Sequence, residues 1–320
     1  MIQFFPAKRD LLPPLRSGGG RSAEALPQGQ RGSGRAALAR LRGAVSLARR
    51  CAGPGRGHFR RTTTLYMALL TLAIAATLPT HATAAPSAQS ILADSDAIRN
   101  PGKPFSLTVV LVEYRNAHQT DTNTLSVYSK ADNNSGQFRS LVRFVAPARD
   151  ANKLLLKNGN DLWFFDPSSK ASIRLSPQQR LLGQAANGDV VTVNLAKDYK
   201  AEMKGEEDVT DGDRQTRHSY KLALAAVSTD VTYDHIEMWL DSGNSRPVKA
   251  RFYTESGQLL KTAYYRRYQS QLGVERPTET VIIDGLDPNW VTVMRYSDYA
   301  WRDVPEVWLQ RDYLPRFKPE

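Results

Sequence analysis

The pattern of apolar and polar positions changes along the chain, and the changes mark out its parts. Residues 1 to about 57 are rich in Arg, Gly, Ala and Pro and show no apolar period. Such a stretch buries no core and is expected to be disordered. Over residues 90–99, Ile91, Leu92 and Ile98 fall near one helical face, and Asn100-Pro101 stops the helix. Beyond it the period becomes two. Residues 233–241 are the clearest case, with Ile236, Met238 and Leu240 on one face and His235, Glu237 and Trp239 on the other. Similar runs occupy 105–114, 124–129, 139–145, 153–157, 161–165 and 172–175. After a gap they resume at 217–225, 248–253, 258–268, 278–283 and 290–297. Asn158-Gly159 between two apolar runs marks a hairpin, and Asp132-Asn133-Asn134-Ser135-Gly136 marks a turn. Ser176-Pro177 reads as a helix start, residues 181–201 are less regular, and residues 312–320 read as a tail. The pattern predicts a mainly β fold: a strongly curved antiparallel sheet of about ten or eleven strands joined by short turns.

Charge refines the division. The chain of 320 residues carries a formal net charge of +11. Residues 1–84 hold 13 Lys and Arg against 2 Asp and Glu, and the remainder holds 30 of each. The folded part therefore gives no electrostatic signal for nucleic acid. Arg60-Arg61, an apolar run over residues 65–78 and the small residues before Ala85 form the order of a secretory signal. The run is shorter than the roughly 20 residues that span a membrane. Cleavage is expected after Ala84, because Ala82 and Ala84 fill the small-residue positions. The expected organisation is a disordered or mis-called start over 1–57, a signal over 58–84, and one secreted domain over 85–320. An uncleaved anchor is the alternative. Cys51 lies before the cleavage site, so the mature chain has no thiol, disulfide or lipid-modified cysteine.

Catalytic constellations are not visible. His118, His218 and His235 are far apart, and none has a partner at metal-ligand spacing. No nucleophile elbow, phosphate-binding loop or dinucleotide fingerprint occurs. The acidic run Glu206-Glu207-Asp208 reads as a solvated hairpin loop. No cofactor or metal is called for. Aromatic residues are plentiful on the strands, and a curved sheet lined with apolar residues needs a helical lid or a lipid to fill its hollow.

At this point a family resemblance appears. Asn160-Asp161-Leu162-Trp163-Phe164-Phe165-Asp166-Pro167 resembles the strand-and-turn motif of LolA-type periplasmic lipoprotein carriers. The order around it is similar to the branch of outer-membrane lipoprotein-sorting proteins. The opening helix from Ile91 to Pro101, Leu141-Val142-Arg143-Phe144-Val145-Ala146-Pro147, Ser172-Ile173-Arg174-Leu175-Ser176, Ile236-Glu237-Met238-Trp239-Leu240-Asp241 and Gly257-Gln258-Leu259-Leu260-Lys261-Thr262 follow in register. The resemblance covers about residues 91–300. It implies an unclosed half-barrel with short lid helices over an apolar cavity. It further implies carriage of lipid or lipoprotein acyl chains across the periplasm by a monomer, with an RND-type inner-membrane exporter as a partner. Two positions depart from the family. Ala146 stands where the classical carrier has a basic residue before the proline, and Phe165 replaces a tyrosine. The resemblance thus extends to apolar cargo and stops short of receptor handover.

Parity within strands selects cavity candidates: Leu154, Leu156, Trp163, Phe165, Met238, Leu240, Val248 and Phe252, expected to include several residues of one concave face. Over residues 161–165, Trp163 and Phe165 share one side while Leu162 and Phe164 share the other, and the Trp163 side is preferred for its larger apolar area. The function expected is a non-catalytic periplasmic carrier or binding protein. The alternative is an accessory protein of an envelope complex that uses the sheet as an interaction surface.

Overall fold

The structure is a computed structural model that describes residues 86–318. The stretches expected to be a disordered or mis-called start, a secretory signal and its cleavage site lie outside the described residues. The first element is helix α1, Ala88–Arg99, where the expected opening helix stands. Ser87 caps it, accepting from the Ser90 backbone N–H at 3.1 Å. Ile91 and Leu92 are buried on one side, which is the apolar face read from the pattern.

Strands then follow in order: β1 Phe105–Arg115, β2 His118–Ala131, β3 Phe138–Ala146, β4 Leu154–Asn158, β5 Asp161–Asp166 and β6 Ala171–Arg174. A crossover carries the small hairpin β7 Arg180–Leu182 and β8 Ala185–Ala186, a 3-10 turn Asn187–Asp189 and the one-turn helix α2 Leu195–Asp198. The chain continues as β9 Tyr199–Thr210, β10 Thr216–Ala226, β11 His235–Asp241, β12 Pro247–Tyr253, β13 Leu259–Gln271, β14 Val274–Asp284 and β15 Trp290–Trp301. Thirteen of these form one antiparallel sheet in the order β6-β5-β4-β3-β2-β1-β15-β14-β13-β12-β11-β10-β9. The sheet is unclosed, with β6 and β9 as its edges.

This order has a direct consequence. Two meanders, β1–β6 and β9–β15, are joined at the centre where β1 pairs with β15. Every other step in the main sheet links neighbours, so the crossover from β6 to β9 runs from one edge to the other. It must pass over a face of the sheet, and it becomes the lid.

The expected class is found, with more strands than the ten or eleven anticipated. One strand that the pattern missed is β9, nearly all of it exposed and without apolar alternation. The acidic run Glu206-Glu207-Asp208 belongs to this edge strand and not to a loop. Ser176-Pro177 starts no helix. Its Ser176 side chain accepts from the Gln178 backbone N–H at 3.2 Å, and the segment turns directly into β7. The stretch from Asp312 onward is not the expected tail. Instead the 3-10 turns Glu306–Leu309 and Arg311–Arg316 pack back onto the sheet and bury Trp308, Leu309 and Leu314. The two turns are too short to show a helical period, so their packing was not legible. The turn at residues 132–136 and the Asn158-Gly159 hairpin are present; Asp132 accepts from the Asn134 and Ser135 backbone N–H groups, and Gly159 adopts φ +59°.

The edge hairpin β9–β10 holds one titratable switch of modest size. His218 lies between Asp208 and Glu206, at 2.8 and 2.9 Å from its ring nitrogens. Hydrogen bonds to these carboxylates, Asp208 first, raise the His218 pKa. Because the folded value lies above the unfolded one, the contribution is fully present below the ordinary pH range of histidine. It fades as pH rises through the folded value. An NMR titration is expected to place His218 above an unperturbed histidine, and Asp208→Asn is expected to bring it down. An unshifted His218 in the wild-type protein would contradict the arrangement.

Candidate functional site

Both faces of the sheet are apolar in part, and each has its own cover. On the inner face, Leu125, Val127, Val142, Leu155, Leu222, Met238, Ala250, Ala263, Ile282 and Met294 form one core with α1 and the lid residues Val190, Val191 and Leu195. On the outer face, Tyr128, Leu141, Leu154, Leu156 and Phe165 pack against Val304, Trp308, Leu309 and Leu314 of the C-terminal segment.

The eight residues selected from sequence divide between these faces. Leu154, Leu156 and Phe165 belong to the outer cluster, and half-buried Trp163 packs against it. Met238, Leu240 and Phe252 belong to the inner core. Val248 is buried and shares the parity of Ala250 and Phe252. The inner side of β4 and β5 is instead formed by Leu155, Leu162 and Phe164. The larger apolar area of the Trp163 side reflects its burial beneath the C-terminal turns, distant in sequence (Asn158 and Leu309 are 151 residues apart), which the strand pattern does not reveal.

The lid meets the inner face through a seam rich in hydrogen bonds. Ser129 on β2 bonds Thr192 at 2.7 Å, and Ser140 on β3 accepts from the Thr192 backbone N–H at 3.2 Å. Gln137 accepts from the Asn194 backbone N–H at 2.7 Å and donates to Asp198 at 2.8 Å. Thr292 on β15 accepts from the Gln184 backbone N–H at 2.7 Å. Gly183 permits that approach, because a Cβ there would lie 2.3 Å from the Thr292 hydroxyl and the backbone has φ +54°. The lid is also laced to α1. Gln89 donates to the Ala196 carbonyl at 2.8 Å and Asp96 accepts from the Ala196 N–H at 2.7 Å, while Gln89 also accepts from the Ala201 N–H of β9 at 2.9 Å.

At the centre of the seam lies a buried ionic knot. Lys261 on β13 is almost completely enclosed and forms an ion pair with Asp189 of the lid. Its ammonium also donates to the Gln184 carbonyl at 3.0 Å. Tyr233 donates to Asp189 at 2.9 Å, and Tyr199 donates to the Tyr233 carbonyl at 3.0 Å. Burial lowers the Lys261 pKa, with Asp189 opposing the shift, and burial drives Tyr233 well above its ordinary value. Sequence reasoning passed over this group. The signal was a lysine at an inner-parity position, beside Ala263 and Tyr265 in a strand that otherwise reads as apolar on that side.

Two cavities of about 100 Å³ each lie between lid and sheet. They share Asp189, Val191 and Tyr265 in their walls, and Lys261, Phe252 and Ile282 line one of them. Ligand sites typically have about 300–1,000 Å³, so the closed hollow is too small for a long chain unless the lid moves. A larger opening of about 400 Å³ lies on the outer side, by Leu154, Phe165 and Leu314. Among the described residues no group of His, Cys, Asp and Glu side chains is arranged to hold a metal ion. No helix among them is long and apolar enough to cross a membrane.

An unclosed antiparallel sheet with a crossover lid and an apolar inner face defines a lidded open-sheet fold. A family model described as "Uncharacterized protein" matches residues 136–316. The crystal structure of a LolA superfamily protein from Nitrosomonas europaea is 37% identical, covers 72% of this chain and 100% of its own, and superposes with a TM-score of 0.64. The chain belongs to the LolA superfamily. An outer membrane lipoprotein-sorting protein domain from Vibrio parahaemolyticus shares the fold at 18% identity, TM-score 0.60, over 72% of this chain and 98% of its own. A DUF1329 family protein from Desulfovibrio piger does so at 18% identity, TM-score 0.61, over 71% and 97%. No curated protein sequence matches the chain.

Proposed function

We propose that residues 85–320 form a non-catalytic periplasmic carrier that encloses an acyl chain, free or protein-attached, between the lid and the inner face. The observation that carries this reading is the lid itself. It is a single crossover that meets the inner face through hydrogen bonds as well as through the buried Val190, Val191 and Leu195, and water can replace the hydrogen-bonded part of that seam more cheaply than it can wet the apolar part. Opening would expose Phe252, Ala263, Ile282 and Met294, all buried in the closed form. Each methylene buried there contributes about 0.8 kcal/mol, so a long chain offsets the cost of displacing the lid. The cargo-facing set becomes Met238, Leu240, Val248 and Phe252, while Leu154, Leu156, Trp163 and Phe165 support the outer cover. Periplasmic location follows from the signal order before Ala85. The exporter partner rests on the resemblance alone. Strand addition at β9, the accessory alternative, is disfavoured by the charged side chains along that edge and by the irregular register at Gly205.

The test is lipid analysis of protein purified from the cell envelope, together with titration of a fluorescent fatty acid. Co-purifying acyl lipid and saturable binding are expected. Ala263→Leu, which fills the small cavity beside Ile282, is expected to weaken binding several-fold with little change in thermal stability. Lack of saturable binding by a folded protein would overturn the carrier reading.

A further inference from the structure

The geometry points to Lys261 as the recognition site for an acidic headgroup: when the lid leaves, a carboxylate or phosphate borne by the acyl cargo takes the place of Asp189. This inference rests on the carrier reading and adds to it the chemical class of the cargo.

The argument begins with the ownership of the partners. Lys261 belongs to β13, part of the sheet. Its two polar partners are the Asp189 carboxylate and the Gln184 carbonyl, and both belong to the crossover. Lid displacement therefore removes both at once. What stays beside the ammonium is aromatic: the Tyr233 ring at 4.8 Å and the Phe252 ring at 5.3 Å. Ala263 and Ile282 lie in the same cavity wall, so a chain that covers the apolar face also shuts water out from the ammonium, and the cation is then costly unless an anion joins it. An amphiphile with one acidic group meets both demands of the open state, because its chain covers the apolar face and its headgroup pairs with the ammonium.

Half-buried Arg99 and buried Arg276 differ in this respect. Arg99 also lines the cavities, but its carboxylate partner Asp96 lies on the same helix. That pair survives any movement of the lid relative to α1. Arg276 donates to the Ala97 carbonyl at 3.1 Å and also to the Ile98 carbonyl, so it caps α1 and does not face the hollow's apolar wall. Only Lys261, among these three, loses its compensation when the lid opens.

The experiment compares palmitate with its methyl ester, by displacement of a fluorescent fatty acid, on the wild-type chain and on Lys261→Met/Asp189→Asn. The double substitution removes both charges, so no buried ion is left alone and folding is retained. Wild-type protein is expected to prefer palmitate by about tenfold, the size of one charge-assisted hydrogen bond. The double variant is expected to bind acid and ester alike. Acetate and inorganic phosphate alone, at the same concentrations, are expected to displace nothing, which separates a lipid headgroup from a free anion. Equal binding of acid and ester by the wild type would overturn the headgroup site while leaving the carrier reading intact. A preference that persists in the double variant would also overturn it, placing the anion elsewhere. Binding of neither ligand would overturn the carrier reading, and this inference with it.

Discussion

Trp308→Ala is expected to destabilise the domain by about 3–5 kcal/mol, measured by chemical denaturation. Trp308 sits on the 3-10 turn Glu306–Leu309 and is buried against the outer face. Its ring meets Tyr128 edge-on at a centroid distance of 5.5 Å and Phe317 at 5.0 Å. Beneath these rings lie Leu141 and Leu156, both completely buried. Truncating the indole opens a cavity that the surrounding strands cannot fill, because β2, β3 and β4 are locked in register on both sides. Deleting the chain from Val304 onward is expected to be worse. It would expose Tyr128, Leu141, Leu154, Leu156 and Phe165 as one apolar patch and promote aggregation. A Trp308→Ala protein within about 1 kcal/mol of the wild type would show that the segment is an accessory to the sheet and not its outer cover.

Asp189→Ala is expected to act on the lid first. It leaves Lys261 enclosed without its carboxylate, and removing one partner of a buried pair costs roughly 3–5 kcal/mol. It also strips the Tyr233 hydroxyl and the Ala186 backbone N–H of their acceptor. The sheet does not need to bear this cost, since the lid can lift and let water reach the ammonium. The loss of global stability is therefore limited to the free energy that keeps the lid closed. Hydrogen exchange is expected to quicken over residues 184–199 and remain slow in β1, β2, β14 and β15. Thermal melting should fall by less than the full pair penalty. Uniform acceleration across the sheet would mean that lid and sheet unfold as one unit, contrary to a lid that opens independently.

Several features were legible before any tertiary contact was known. Alternation at residues 233–241 set Ile236, Met238 and Leu240 on one side, and they are buried together in the inner core. Asn158-Gly159 marks the β4–β5 hairpin, and Ile91, Leu92 and Ile98 mark α1. These signals are local: a side chain's face follows from strand geometry, and a turn follows from which residues tolerate its backbone angles. The class of the fold emerged from them, together with the order of motifs shared with the LolA superfamily.

Tertiary structure decided what the local signals left open. Edge strand β9 has no buried face along most of its length, so selection for apolar alternation has nothing to act on. The inner and outer sides of β4 and β5 are both apolar because each is covered, one by the lid and one by turns at the far end of the chain. Parity separates Leu155 from Leu154 and Leu156, but it carries no sign that says which side is concave. The ionic knot is the extreme case. Lys261 and Asp189 are separated by a crossover and four strands, and neither is unusual in its own segment. They meet because a chain that builds two meanders joined at their centre must cross the hollow to pass from one edge to the other. That path, set by the whole sheet, lays a carboxylate on a buried ammonium and makes the crossover a lid.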